Sequence, residues 1–272
     1  MNQPAAGDRK ADGGGAAGDA LLITCEHGGH EVPPAYAALF AGYEKLLLTH
    51  RGWDAGALEL AQQMAQILNA PLFAATTTRL LIDLNRSIGH RQLYSEATRS
   101  LLPGTKRAII AVHYQPHRDA VESSVAGLIA AGRRVVHVAS HSFTPEMNGV
   151  VRQADVAWLY DPKRPGEGEL AWRWSQALKQ RRLKLKLRRN YPYQGKSDGL
   201  MSLLRKRHAP ALYVGIELEV NQRFVIEGGA AWDALRADII QSLADLLYVP
   251  KGDCGSNSWK IRADSPYLKK HP

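Results

Sequence analysis

Cysteine is nearly missing from this chain: there are two, Cys25 and Cys254, in no paired spacing. Neither a disulfide framework nor a thiolate zinc site is indicated, and the plain reading is two reduced thiols in a cytoplasmic protein. Long apolar runs are also lacking. None approaches the roughly 18 residues that a membrane span needs. The first twenty residues are small and polar and have no apolar stretch of the kind a signal peptide carries. There is no internal repeat and no GxGxxG, P-loop or GxSxG pattern, so nothing points to a dinucleotide, a nucleotide triphosphate or a serine nucleophile.

What is present suffices for one sizeable core. With 272 residues, 45% of them hydrophobic, a single large domain over residues 20–250 is expected. Residues 1–19, rich in Gly, Ala and Asp, are expected to form a disordered tail, and the polar, basic residues 251–272 a loose one. The formal charge of +9 favours anionic partners without choosing among carboxylates, phosphates and nucleic acid.

The stretch LLITCEHGGHEVP, residues 21–33, carries the first chemical signal. An apolar strand over 21–25 ends abruptly in Glu26, His27, two glycines and His30. That places polar groups at the carboxyl end of a strand, where open α/β sheets keep their ligands. The run RVVHVAS, residues 134–140, predicts another strand and delivers His141 immediately after it. Imidazoles from two strand ends with a nearby carboxylate are what a catalytic zinc site needs.

Other candidates follow from position. Asp54 precedes an amphipathic helix carrying Leu58, Ala61, Ala65 and Leu68, where capping acid and ligand are equally good readings. Residues 71–84 predict a second strand, with Arg79, Asp83 and Arg86 near its far end needing partners or a ligand. Residues 106–131 predict a helix broken at Pro116, flanked by His113 and His117, neither singled out as a ligand. Residues 155–160 predict a short strand and 167–180 a helix. RRLKLKLRR, residues 181–189, alternates as an edge strand with Leu183, Leu185 and Leu187 inward. Outward lysines guard such an edge, and a basic run without interleaved aromatics is a weak nucleic-acid signal. Turn formers fill residues 190–199 and a short helix is expected over 200–207. Residues 211–220 predict the last long strand, with Glu217 and Glu219 on one face, and 230–247 a closing helix.

Taken together, CEHGGHEVPPAY, HRGWDAGALELA, TRLLIDLNRS, SHSFTP, WLYDPKR, NYPYQGKSDG and ELEVNQ resemble the N-formylglutamate amidohydrolase family in type and order. The resemblance implies an α/β fold with a mixed, mostly parallel sheet flanked by helices, similar to the zinc carboxypeptidases. It implies a zinc hydrolase acting on a small N-acyl amino acid in amino-acid catabolism. By motif, His27 and His141 match metal-binding histidines and Asp54 a family acid beside the site. Glu219 matches a late strand-end general base, and Arg79, Arg86 and Arg152 match arginines that hold a substrate carboxylate or steady an oxyanion. His30 stands where relatives carry Asn, as an extra ligand, a substitute hydrogen bonder or a bystander, and the third ligand is Asp54, His30 or Glu26. Asn221 stands where many members have Arg, at a position expected to meet the substrate carboxylate.

Overall fold

The computed structural model describes residues 18–247. Cys254, the tail expected over 251–272 and, apart from Gly18 and Asp19, the tail expected over 1–19 lie outside them. Six strands form the central sheet in the order β2-β1-β3-β8-β6-β7. They are β1 (Ala20–Cys25), β2 (Leu72–Ala74), β3 (Val135–Phe143), β6 (Val156–Leu159), β7 (Leu187–Arg189) and β8 (Tyr213–Asn221), while β4 (Glu146–Met147) and β5 (Val150–Val151) form a separate hairpin. The β2, β1, β3 and β8 strands pair in parallel, and β6 joins β8 antiparallel. The sheet is mixed and mostly parallel, as the resemblance implies.

Strands β1, β3 and β8 are buried along almost their whole length, as strands covered on both faces are. On one face Ile23, Val136, Val138, Ile216 and Leu218 pack with α2 (Ala57–Ile67), α5 (Pro165–Arg181) and α8 (Gly229–Leu247), with Trp158 and Trp174 at the centre. Trp174 donates its indole N–H to Ser242 Oγ at 3.0 Å, which satisfies the polar atom of this buried ring. On the other face Leu22, Val135 and Tyr213 pack with Val121 and Val125 of α4 (Gln115–Ala130) and Leu200 and Leu204 of α6 (Leu200–Arg207). A smaller cluster of Phe40, Leu80, Leu81, Ile82, Leu84, Leu93, Ile109 and Tyr114 lies under the loops. The remaining helices are short: α1 (Glu44–Leu47), α3 (Pro103–Ile109) and α7 (Arg223–Glu227).

Several sequence expectations are corrected. The strand expected over 71–84 ends at Ala74, because the apolar run Leu80–Leu84 buries itself consecutively in the loop cluster instead of alternating across a sheet. Residues 181–189 form a strand only from Leu187. The α5 helix continues to Arg181, held to α8 by Arg181–Asp245 at 2.8 Å and Arg182–Asp238 at 2.5 Å, which leaves Leu183 74% exposed. The β3 strand runs three residues past Ser140, so His141 lies within it. The break at Pro116 is a wide π turn over Ile110–Tyr114 that joins α3 to α4, with the proline in the first turn of α4, where its missing N–H costs nothing. The tight Asn148–Gly149 turn of the β4/β5 hairpin, both residues at positive φ, is a strong sequence signal that the strand reading above does not include.

Candidate metal and catalytic site

The parallel register does most of the assembly. His141 of β3 lies beside Glu219 of β8, and Ala139 beside Glu217. Thr24 of β1 pairs with Ala139, so continuing both strands by two residues puts Glu26 and His141 at the same height on the same face. The loop after β1 then presents His27. Gly28 N–H bonds to the Ala75 carbonyl at 2.9 Å and Glu31 N–H to the Thr76 carbonyl at 3.0 Å. At Gly29 a Cβ would lie 2.5 Å from the Thr76 carbonyl oxygen, so the EHGG loop is pinned backbone against backbone. Asp54 is tied to it by its own N–H, which donates to the His27 carbonyl at 2.9 Å.

His27, Asp54 and His141 are buried and offer ligand atoms that lie within 4.8 Å of one another. Both Nδ1 atoms face a single oxygen, Asp54 Oδ2, at 3.4 Å from His27 and 2.9 Å from His141. The far nitrogen of each ring meets another carboxylate. His27 Nε2 is 2.8 Å from Asp83 Oδ1, and His141 Nε2 is 3.3 Å from Glu26 Oε2. Arg79 bridges the two aspartates, at 3.2 Å from Asp54 and 2.8 Å from Asp83. Asp54 does not cap α2, whose N-cap is Gly56 at positive φ with no side-chain capping bond.

This density of charge sets the protonation states. Burial pushes the Asp54 and Asp83 carboxyls up, but the surrounding His27 and Arg79, with His141 also bonded to Asp54, outweigh it and hold both below the usual carboxylate range. Burial pulls His141 down, and the flanking Asp54 and Glu26 more than reverse it, leaving the ring well above the ordinary imidazole value. Glu219 is the opposite case. It is 4% exposed, its Oε2 has no hydrogen-bond partner, and burial drives its pKa up to about 8, opposed by His141 and assisted by Asp54 and Glu217. Glu217 is also raised, chiefly by burial. On the same face below them, His137 bridges Thr24 Oγ1 at 2.9 Å and the Tyr213 hydroxyl at 2.8 Å, and burial lowers its pKa to about 4.

The other sequence candidates fall in different places. His30 is not part of the group: its ring lies against Trp53, with centroids 5.1 Å apart. Asn221 is buried and its amide is spent on the backbone, donating to the Ala154 carbonyl at 2.8 Å and accepting from Arg223 N–H at 3.0 Å. The position expected to meet a substrate carboxylate is therefore a structural tie between β8 and the chain entering β6. Arg86 donates to the Asp198 carbonyl at 2.7 Å and keeps a buried Nε without a partner. Arg152 is half-buried after the β4/β5 hairpin, 5.3 Å from the Tyr193 ring centroid and 5.8 Å from that of Phe143. His117 is the residue the sequence reading passed over. Its side chain is 9% exposed and its Nε2 is 3.8 Å from Glu26 Oε1. It is the third residue of α4, directly after Pro116, and nothing in the neighbouring sequence marks it.

A zinc ion suits this donor set, since two imidazole nitrogens and a carboxylate oxygen already converge and orphaned carboxylate oxygens stand next to them. Among the described residues no helix is long and apolar enough to cross a membrane.

Comparison with known proteins agrees with the geometry. A solved structure of a gene product from Agrobacterium tumefaciens is similar with a TM-score of 0.72 and 28% identity, covering 85% of this chain and 91% of that one. The N-formylglutamate amidohydrolase from Ralstonia eutropha shares the fold, with a TM-score of 0.60 and 18% identity over 84% of this chain and 93% of that one. No curated protein matches the chain. The family model for N-formylglutamate amidohydrolase matches residues 19–226, and the chain belongs to that family.

Proposed function

We propose that this amidohydrolase is zinc-dependent and cleaves the amide bond of N-formylglutamate or a related N-acyl amino acid, working in the cytoplasm in amino-acid breakdown. The observation that carries the reading is the convergence of His27, Asp54 and His141 beside a buried carboxyl, Glu219, that has one unpartnered oxygen. His27 and Asp54, with His141, would hold the ion. When bound, a divalent ion supplies Lewis acidity and acidifies water to a pKa near 7.

The chain's own groups do the rest. Burial leaves Glu219 protonated near neutrality, and positive charge added among Asp54, His27 and His141 draws its pKa down into the working range of a base. Its Oε2 then accepts a proton from the attacking water and returns it to the amide nitrogen as the C–N bond breaks, releasing the acyl carboxylate and the free amine. Arg79 is already committed to Asp54 and Asp83, so its part is to stiffen the ligand carboxylate. Arg86, through its free Nε, and Arg152, at the rim, are the groups left to receive a substrate carboxylate.

The test is zinc stoichiometry of the purified protein and amidase activity on a panel of N-acyl amino acids, with His27→Ala and His141→Ala measured singly. Loss of both zinc and turnover is expected. Survival of both in the two variants rejects the reading.

A further inference from the structure

Glu26 is 1% exposed, and neither of its oxygens has a hydrogen-bond partner. It faces two imidazoles, His141 Nε2 at 3.3 Å from Oε2 and His117 Nε2 at 3.8 Å from Oε1, and those two nitrogens have no hydrogen-bond partner either. Four buried polar atoms from three elements therefore face one another with only charge between them. A buried carboxylate without hydrogen bonds is costly and persists only beside compensating charge. The three groups thus depend on one another.

The neighbouring ring supplies the pattern. His27 turns Nδ1 toward Asp54 and is held from behind by Asp83 at Nε2. His141 turns Nδ1 toward the same Asp54 oxygen and has Glu26 behind it at Nε2. A histidine that binds a metal through one nitrogen is ordinarily fixed through the other by a carboxylate, which sets its tautomer and its rotation. Glu26 occupies that place for His141, and His117, delivered from α4, faces the other Glu26 oxygen.

We propose that Glu26 and His117 are positioning residues for His141, a buried clamp that keeps its Nδ1 directed at Asp54 and the metal position. The inference rests on the zinc reading above. Its consequence is separable from folding: a change at Glu26 loosens metal binding through the His141 ring, and a shorter carboxylate at the same position restores part of it.

The experiment measures zinc dissociation constants, by competition with a chromophoric chelator, and urea unfolding of the chelator-treated protein for wild type, Glu26→Gln, Glu26→Asp and His117→Asn. Glu26→Gln is expected to weaken zinc binding by about 10- to 100-fold, with a single cooperative urea transition retained. Glu26→Asp recovers part of the affinity, and His117→Asn shows a smaller loss in the same direction. Zinc affinity of Glu26→Gln within about twofold of wild type, or a loss that Glu26→Asp does not partly recover, overturns the clamp. Should Glu26→Gln fail to fold, His117→Asn and Glu26→Asp decide by the same measurement. If zinc binding survives His27→Ala and His141→Ala, the zinc reading is what fails. The clamp is then judged on crystal structures of metal-free wild type and His117→Asn, where a His141 ring turned away from Asp54 supports it and an unmoved ring overturns it.

Discussion

Replacing Glu219 by Gln should make the metal-free protein more stable while abolishing its chemistry. The folded-state carboxyl titrates at about 8 and the ordinary value is 4.5. Between those values the unfolded chain has lost its proton while the folded chain keeps it, so stability falls as pH rises, by about 1.4 kcal/mol per unit. At pH 7 this amounts to about 3 kcal/mol. Glutamine has nearly the shape of the protonated acid and titrates in neither state, so the variant escapes the penalty. Urea unfolding of chelator-treated wild type and Glu219→Gln, followed by tryptophan fluorescence, should show near-equal stability at pH 4.5 and a gain of about 3 kcal/mol for the variant at pH 7. Zinc should then stabilise wild type more than the variant, because only wild type has a carboxyl to ionise beside the added charge. Amidase activity of the variant should fall by at least about 100-fold. A pH-independent difference, or a variant less stable than wild type at pH 7, refutes the reasoning.

The His137 ring is buried neutral, with a pKa of about 4 against an ordinary 6.5, so acid favours the unfolded chain: stability should drop by up to about 3 kcal/mol as pH falls from 6.5 to 4. His137→Gln should flatten that part of the stability profile in pH-dependent thermal unfolding. Gly29→Ala should cost about 1–3 kcal/mol and lower zinc affinity, since the new methyl meets the Thr76 backbone and must push the His27 loop away. Arg152→Ala should raise KM for N-acyl amino acids by roughly tenfold, about 1.4 kcal/mol, with kcat little changed. An equal fall in kcat would move Arg152 from substrate binding into the chemistry.

The site was legible in the sequence where a strand end and a reactive side chain coincide. His27 and His141 stand out because each follows closely on a strand-forming run, residues 21–25 and 134–140, and the parallel ladder then brings Glu26 and His141 level, with His27 in the adjoining loop. Glu217 and Glu219 stand out because acids are expensive inside ALYVGIELEV. What could not be read depends on distant partners. Asp54 reads equally as a cap or a ligand until the 27-residue separation from His27 is closed. His117 has no local mark, since its meaning comes from Glu26 on another element. The alternation of residues 181–189 misled because the pattern is local, whereas the Arg181 and Arg182 pairs with α8 that extend α5 are not. Leu80–Leu84 misled similarly, because hydrophobic content alone does not distinguish a sheet from a satellite core under loops.

The pinned EHGG loop also bears on how such an enzyme can change. One wall of the site is closed to variation, because Gly29 admits no side chain and His141 and Glu219 are fixed by a shared ladder. By contrast, the β4/β5 hairpin exposes Val150 and Val151 and is followed by Arg152, which leans on Tyr193 from the loop before α6. On the proposed reading, in which Arg152 receives the substrate carboxylate, a library over residues 146–152 and 190–195 is the place to look for new acyl or amino-acid preferences with zinc affinity unchanged.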